Sequence, residues 1–246
     1  MKYKDYVNWD KMPTTWCGGC GIGIIFKQVT FALEELDIPV SSLAVVSGIG
    51  CSGRAAGYFA ADSVHVTHGR ALPVAEGIKR GNPKLNVLVF SGDGDLVGIG
   101  GNHLIHSSRR DIDITVVCIN NQIYGMTGGQ MAPTTPREAK TPTSAHGNPY
   151  SPINIQGLVT ANSRYFYARS SAQHIQHLKK TIKAGMEWKG FAFIDAQSYC
   201  IENFGRRLGY RTGHEMLAEI KKGYKINSKP EGQLKSNELG IITHED

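Results

Sequence analysis

The chain has 246 residues, 27 basic and 21 acidic, with a net charge of +6 and a pI near 9.0. Hydrophobic residues make up 41% and charged residues 20%, a globular balance that excludes disordered and fibrous classes. No apolar run approaches the ~20 residues of a membrane span, so no membrane association is expected. Met1 to Trp16 carries Lys2, Lys4, Asp5, Asp10 and Lys11 without an apolar core, so no secretory leader is read there and a cytoplasmic location is expected. The basic residues form no long runs and no arginine-rich or aromatic-interleaved motif, so nucleic acid is not an expected partner.

In chain order, Gly21 to Leu36 places Ile22, Ile25, Phe26, Val29 and Leu33 on one helix face. Leu43–Ser47 and Val64–Thr67 read as short strands. Pro73 stands near the start of a helix reaching Arg80, which Gly81, Asn82 and Pro83 end. Asn86–Phe90 is a strand, about Gly98 to Arg110 a helix, and Ile112–Ile119 a β-branched run that fits a buried parallel strand. Asp111 and Asp113 alternate at its start and read as solvated edge residues. Gln122 to Tyr150 is a long polar loop rich in Gly, Pro and Thr, and a loop of that length is usually functional or partner-bound. A helix near 153–162, a strand near Tyr165–Ala168, a helix near 172–187 and a strand at Phe191–Asp195 complete the pattern.

This alternation predicts an α/β fold with a doubly wound, mainly parallel sheet and ligands at the carboxyl ends of its strands. Residues 1–220 are taken as one domain. Residues 221–246, polar and without periodicity, are taken as an irregular C-terminal tail, either a disordered arm or one lying on another subunit.

Two acid and amide clusters leave predicted strand ends. Asn86–Phe90 runs into Ser91-Gly92-Asp93-Gly94-Asp95, and Ile112–Ile119 into Asn120-Asn121-Gln122-Ile123-Tyr124-Gly125. A carboxylate and an amide suit Mg²⁺, which also takes phosphate oxygens. Gly92 and Gly94 let the backbone approach a diphosphate, and the helix that follows offers it N–H groups. The pair resembles the thiamine diphosphate motif of Gly-Asp-Gly, about 25 residues, then Asn-Asn. That resemblance implies Asp93 and Asn121 as side-chain Mg²⁺ ligands and the backbone carbonyl of Ile123 as a third.

Glycine is enriched, 29 of 246 residues against a usual ~7%, and 19 of the 29 lie between Gly18 and Gly129. Close packing of backbone against a ligand explains such a bias. There are five cysteines. Cys17 and Cys20 form a C-x-x-C, Cys51 follows a strand, and Cys200 follows the last predicted strand. Cys118 lies inside an apolar run and reads as a small buried hydrophobe. The other four fit a [4Fe–4S] cluster or a structural zinc, although zinc more often uses paired C-x-x-C knuckles; a thioredoxin-type redox C-x-x-C fits the glycine-rich helix start and the two distant cysteines less well.

Trp-Cys-x-x-Cys-Gly, Gly-Ile-Gly-Cys-Ser-Gly-Arg, Thr-His-Gly-Arg-Ala, Gly-Asp-Gly-Asp and Asn-Asn-Gln-x-Tyr-Gly-Met-Thr-Gly-Gly-Gln follow one another from about Thr14 to Gly209. In that order they resemble the β subunit of a 2-oxoacid:ferredoxin oxidoreductase. The resemblance implies a thiamine diphosphate-binding fold and Cys17, Cys20, Cys51 and Cys200 as ligands of a [4Fe–4S] cluster. It implies Ile49, Gly50, Cys51, Ser52, His68, Gly69, Arg70 and Ala71 lining thiamine diphosphate, and Gly94, Asp95, Gly125 and Met126 beside the Mg²⁺ site. The implied reaction is CoA-dependent oxidative decarboxylation of a 2-oxoacid, with electrons passing to ferredoxin. No catalytic residue is assigned on this chain. The glutamate that activates the cofactor's aminopyrimidine is expected from an α subunit, and γ and δ subunits join it in four-subunit enzymes. Some broad-specificity relatives carry a lysine where this chain has Gly128. Cys200-Ile201-Glu202-Asn203-Phe204-Gly205-Arg206-Arg207 resembles the 2-oxoglutarate-type subunits, so 2-oxoglutarate is favoured over pyruvate or branched-chain oxoacids. A non-redox thiamine diphosphate decarboxylase or synthase half is the alternative.

Overall fold

The computed structural model describes residues 1–245. Its helices are α1 (Gly21–Glu35), α2 (Ala55–Tyr58), α3 (Ala71–Gly81), α4 (Gly101–Arg110), α5 (Ile155–Val159), α6 (Ile175–Glu187) and α7 (Gly213–Gly223). Its strands are β1 (Leu43–Ser47), β2 (Asp62–His65), β3 (Asn86–Gly92), β4 (Ile114–Asn120), β5 (Ile123–Tyr124), β6 (Gln130–Met131), β7 (Tyr165–Ser171), β8 (Phe191–Gln197), β9 (Lys225–Ile226) and β10 (Glu238–His244). One sheet runs β2-β1-β3-β4-β8-β7-β10-β9. Strands β2 to β7 along this order pair in parallel, and β10 is antiparallel to β7.

The sheet is buried on both faces because its central strands are apolar at nearly every position. Side chains alternate across a strand, so Leu88 and Phe90 of β3 with Val117 and Ile119 of β4 enter one core, which α1 and α6 cover. Val87, Val89, Val116 and Cys118 enter the other, which α3, α4 and α5 cover. Cys118 is fully buried there, as its setting in an apolar run predicts. Arg110 of α4 grips Glu76 of α3 through two hydrogen bonds of 2.9 and 2.7 Å, holding these helices side by side.

Several details differ from the sequence reading. The second strand is Asp62–His65 rather than 64–67. It is an exposed edge strand, which leaves Val66 and Thr67 in the loop that carries His68. Asp111 and Asp113 are not merely solvated: Asp111 accepts from Phe191 N at 2.8 Å and pairs with Arg164, and Asp113 meets Lys79 at 2.7 Å. The helix expected near 153–162 is only Ile155–Val159, capped by Asn154.

The stretch from residue 221 is not wholly irregular. The expected boundary at 220 falls inside α7, and β10 joins the main sheet beside β7. Leu234, Leu239 and Ile242 are buried there. The apolar residues of this polar stretch are too scattered to show a period, but these three buried ones suffice to dock a strand on an existing edge.

Phe90 is fully buried and meets Phe26 and Phe59 at ring-centroid distances of 6.5 and 6.1 Å. Phe90→Ala is expected to cost ~3–5 kcal/mol and to lower the melting temperature by roughly 6–20 °C, read by calorimetry.

Candidate cofactor site

The chain turns one way from β1 to its neighbour β2 and the other way to β3 and β4. In a doubly wound sheet the crevice at such a reversal is where ligands bind, outside the carboxyl ends. The loops after β1, β2, β3 and β4 all open on that edge. They enclose a cavity of about 110 Å³ lined by Ile49 to Ser52, His68, Gly92 to Asp95, Asn121 and Ile123 to Thr127.

Asp95 holds these loops together. Its carboxylate is buried and accepts from His68 Nδ1 at 2.6 Å, Gly69 N at 2.8 Å, Ile49 N at 3.1 Å and Ser91 Oγ at 2.9 Å. One side chain therefore ties the ends of β1, β2 and β3. Gly48 has to be glycine for this: a Cβ there would lie 1.9 Å from Asp95 Oδ2.

Asp93 faces the same cavity and is 1% exposed. It accepts from Asn121 N at 3.4 Å and, more closely, from Thr134 Oγ1. Burial pushes its carboxyl up to about 6 despite these bonds. Such a group is one that a bound cation would relieve. Asn121 turns its own Oδ1 onto Ile123 N at 3.2 Å. Tyr124 lies across Gly94, donating to its carbonyl at 3.2 Å, and a Cβ on Gly94 would stand 2.4 Å from the ring. Gly94 is thus required by Tyr124 as well as by any phosphate.

The cysteines come from three distant places. Cys17 and Cys20 close a turn before α1, with Cys20 N donating to Cys17 O at 3.1 Å. Cys51 follows β1, and Cys200 follows β8, where its Sγ accepts from Asn203 N at 3.4 Å. All four line one cavity of about 60 Å³, with Trp16, Ile22, Arg54 and Met126 in the same wall. Among the described residues no three His, Cys, Asp or Glu side chains close on a single metal point; the thiols surround a space. Burial pushes Cys20 up to about 12, and the three other thiols push the same way. Metal cations would reverse that mutual cost. Ile22, Cys51, Asn121 and Met126 line both cavities, so the two spaces share a wall.

The family described as "Thiamine pyrophosphate enzyme, C-terminal TPP binding domain" matches residues 48–196, from the loop after β1 through most of β8. The 2-oxoglutarate synthase subunit KorB of Methanothermobacter marburgensis is 46% identical over 219 residues, covering 89% of this chain and 77% of that one. The 2-oxoacid:ferredoxin oxidoreductase 2 subunit beta of Aeropyrum pernix is 45% identical over 185 residues, covering 75% and 60%. The chain belongs to the 2-oxoacid:ferredoxin oxidoreductase β-subunit family. A solved 2-oxoglutarate:ferredoxin oxidoreductase from Magnetococcus marinus, with 2-oxoglutarate, coenzyme A and succinyl-CoA bound, superimposes with a TM-score of 0.85 at 31% identity, over all of this chain and 86% of that one.

As a β subunit of these oxidoreductases, the chain carries a thiamine diphosphate-binding domain whose matched segment includes Asp93, Asn121 and Cys51 but not Cys17, Cys20 or Cys200. The structure brings together most of the residues singled out in the sequence. Asp95 also lines the cavity, with its carboxylate engaged by protein donors. Gly69 and Ala71 lie behind His68, with Gly69 N on Asp95 and Ala71 buried in the second core. Arg70 stands outside, donating only weakly to the carbonyls of His68 and Gly69, at 3.5 and 3.3 Å. The sequence does not point to Thr134. It comes from the long 122–150 loop, whose fold rests on Thr135 and Asn148 bonding the loop backbone, and no motif marks it.

A third cavity, of about 370 Å³, opens beside Asn120, Arg169, Asp195 and Gln197. Its carboxylate is already saturated: Asp195 accepts from Asn120 Nδ2, Gln197 Nε2, Tyr167 OH and Arg169 Nε at 2.9, 2.7, 2.9 and 3.4 Å.

Asp95→Asn should put an amide N–H₂ against backbone donors and leave at least one unpaired, a cost of about 1–3 kcal/mol. The expected result is a lower melting temperature and faster amide exchange at Ile49 and Gly69, followed by hydrogen-exchange mass spectrometry.

Proposed function

We propose that this β subunit, completed by an α subunit, converts 2-oxoglutarate and CoA to succinyl-CoA and CO₂ and passes the electrons to a ferredoxin. One 2-oxoacid and one CoA yield one acyl-CoA, one CO₂, one proton and two electrons. The observation that carries the reading is the shared wall of the two cavities, where Cys51 and Asn121 each face both.

Asp93, Asn121 and the carbonyl of Ile123 would hold Mg²⁺, with the carboxylate supplying the charge and the diphosphate the remaining oxygens. Thiamine diphosphate, when bound, supplies the nucleophilic carbon that attacks the oxo group. Gly92 to Gly94 line the cavity and would present their backbone to the diphosphate. Ile49 and Met126 are apolar and partly exposed at the cavity, placed to keep water from the reacting carbon once a partner covers them. Cys17, Cys20, Cys51 and Cys200 would hold a [4Fe–4S] cluster, which accepts electrons singly. Cys51, lining both cavities, would then stand between the electron donor and the acceptor.

The choice of 2-oxoglutarate is supported by the names of several relatives, including that of Methanocaldococcus jannaschii at 45% identity, and by the ligands of the Magnetococcus marinus enzyme. The alternative is another 2-oxoacid, since the Aeropyrum pernix relative is named only by that class. A panel of 2-oxoacids with CoA and a viologen acceptor, run on the complex copurified with its partner subunits, is expected to show the highest kcat/KM for 2-oxoglutarate. Preference for pyruvate or a branched-chain acid overturns the substrate assignment. The isolated chain is expected to be inactive with every acid; turnover by it alone would overturn the shared active site.

Two variants test the cofactors. Mutating even the residues that only support a metal's ligands typically costs 10–100-fold in affinity, so removing a ligand with Asp93→Asn should weaken thiamine diphosphate binding by at least about that much at fixed Mg²⁺, measured by calorimetry. Cys51→Ser should lower iron content below the about four atoms per chain expected of the wild type and abolish oxoacid-dependent ferredoxin reduction. Normal iron with normal reduction would remove Cys51 from the cluster.

A further inference from the structure

We propose that Arg54 sets the reduction potential of the cluster as an uncompensated positive charge built into the wall of its cavity. This rests on the four-cysteine cluster reading above and adds a role for a residue that is not a ligand.

Arg54 lines the cavity that the four thiols line. Its place is fixed by the turn after β1. Gly53 N donates to Gly50 O at 3.0 Å and Arg54 N to Cys51 O at 3.4 Å. Trp16 Nε1 donates to the same Cys51 carbonyl at 2.8 Å, and His65 Nδ1 to Gly53 O at 2.8 Å. Gly53 admits no side chain, because a Cβ would fall 2.0 Å from Gly48 O. The turn that aims Cys51 therefore also fixes the backbone from which Arg54 projects.

The guanidinium is left without a counter-charge among the described residues. Among the described residues Arg54 makes no side-chain hydrogen bond or ion pair, whereas Arg110, Arg164, Arg169 and Arg206 each meet a carboxylate. Glu202, two residues after Cys200, is paired with Arg206 at 3.0 Å. Lys11 and His65 share a neighbouring hollow with Arg54 and bring no negative charge to it.

Reduction adds an electron to an iron–sulfur centre, so a nearby fixed cation favours the reduced form and raises the potential. Arg54 is exposed. Its effect should therefore weaken as salt shortens the Debye length from ~10 Å at 0.1 M toward ~3 Å at 1 M.

The test is a redox titration of the cluster by electron paramagnetic resonance, on the complete complex purified without oxygen. It compares wild type, Arg54→Lys, Arg54→Gln and Arg54→Glu at low and high ionic strength, with iron measured on each. The expected order is wild type near Lys, then Gln lower, then Glu lowest. The Gln variant is expected to shift the reduction equilibrium about tenfold, about 59 mV for one electron, and the spread should contract at high salt. Potentials that stay together at normal iron content overturn the proposal. So does a Lys variant displaced as far as Gln, which would report a specific hydrogen bond rather than charge. A fixed potential with a raised KM for ferredoxin would make Arg54 a docking residue instead. If a variant loses iron, the salt dependence of the wild-type potential decides: a fall with added salt supports the charge, and no fall overturns it. A wild-type complex without iron defeats the cluster reading itself, and this proposal with it.

Discussion

The buried carboxylate of Asp95 is the interaction on which the cofactor edge depends. A carboxylate taken from water costs several kcal/mol unless its lone pairs are filled. Here they are filled by four donors from the ends of three strands. Strands β1, β2 and β3 would end in loops free to move apart; Asp95 makes their positions mutually dependent. His68, Ile49 and Cys51 inherit their places from this arrangement. Because His68 Nδ1 is engaged by the carboxylate, its Nε2 is the nitrogen left for other contacts.

A second hub stands on the other side of the Mg²⁺ candidate. Asp195 of β8 anchors Asn120, the residue before Asn121, and through Arg169 it reaches the carbonyls of Lys235 and Glu238. Asn121 thus leaves a strand end that is fixed by a buried charge network, and the C-terminal segment is tied to the same network. This gives β10 a role in holding the edge from which the amide projects. Thr134 completes the enclosure of Asp93 from the long loop, so that the most deeply buried carboxylate of the cavity lies between a main-chain donor and a hydroxyl.

Much of the fold was legible because β3, β4 and β8 are nearly continuous apolar runs, a pattern that only burial on both faces explains. The Gly-Asp-Gly and Asn-Asn clusters were legible because each sits directly after such a run. Other elements left no trace of that kind. Strand β10 depends on Leu239 and Ile242 finding the free edge of β7, and α7 is short, with Met216 and Ile220 as its buried residues. Thr134 is one threonine among several in a polar loop. The motif around Asp95 marks the residue but not its partners within the protein, because a sequence does not reveal which donors have already claimed a carboxylate.

The sequence by itself determined the residue types: four thiols apart from the core cysteine, an acid and an amide after two strands, and glycines where side chains would collide. Their family resemblance followed from order and spacing along the chain. Only the tertiary structure decided that Cys17, Cys20, Cys51 and Cys200 surround one space, that this space shares a wall with the cavity at the ends of β1 to β4, and that Arg54 lines it with no counter-charge among the described residues. The reason is distance along the chain. Parallel strands need long crossovers, so residues at neighbouring strand ends are tens of positions apart, and their contacts exist only once the sheet has brought its carboxyl ends to one edge.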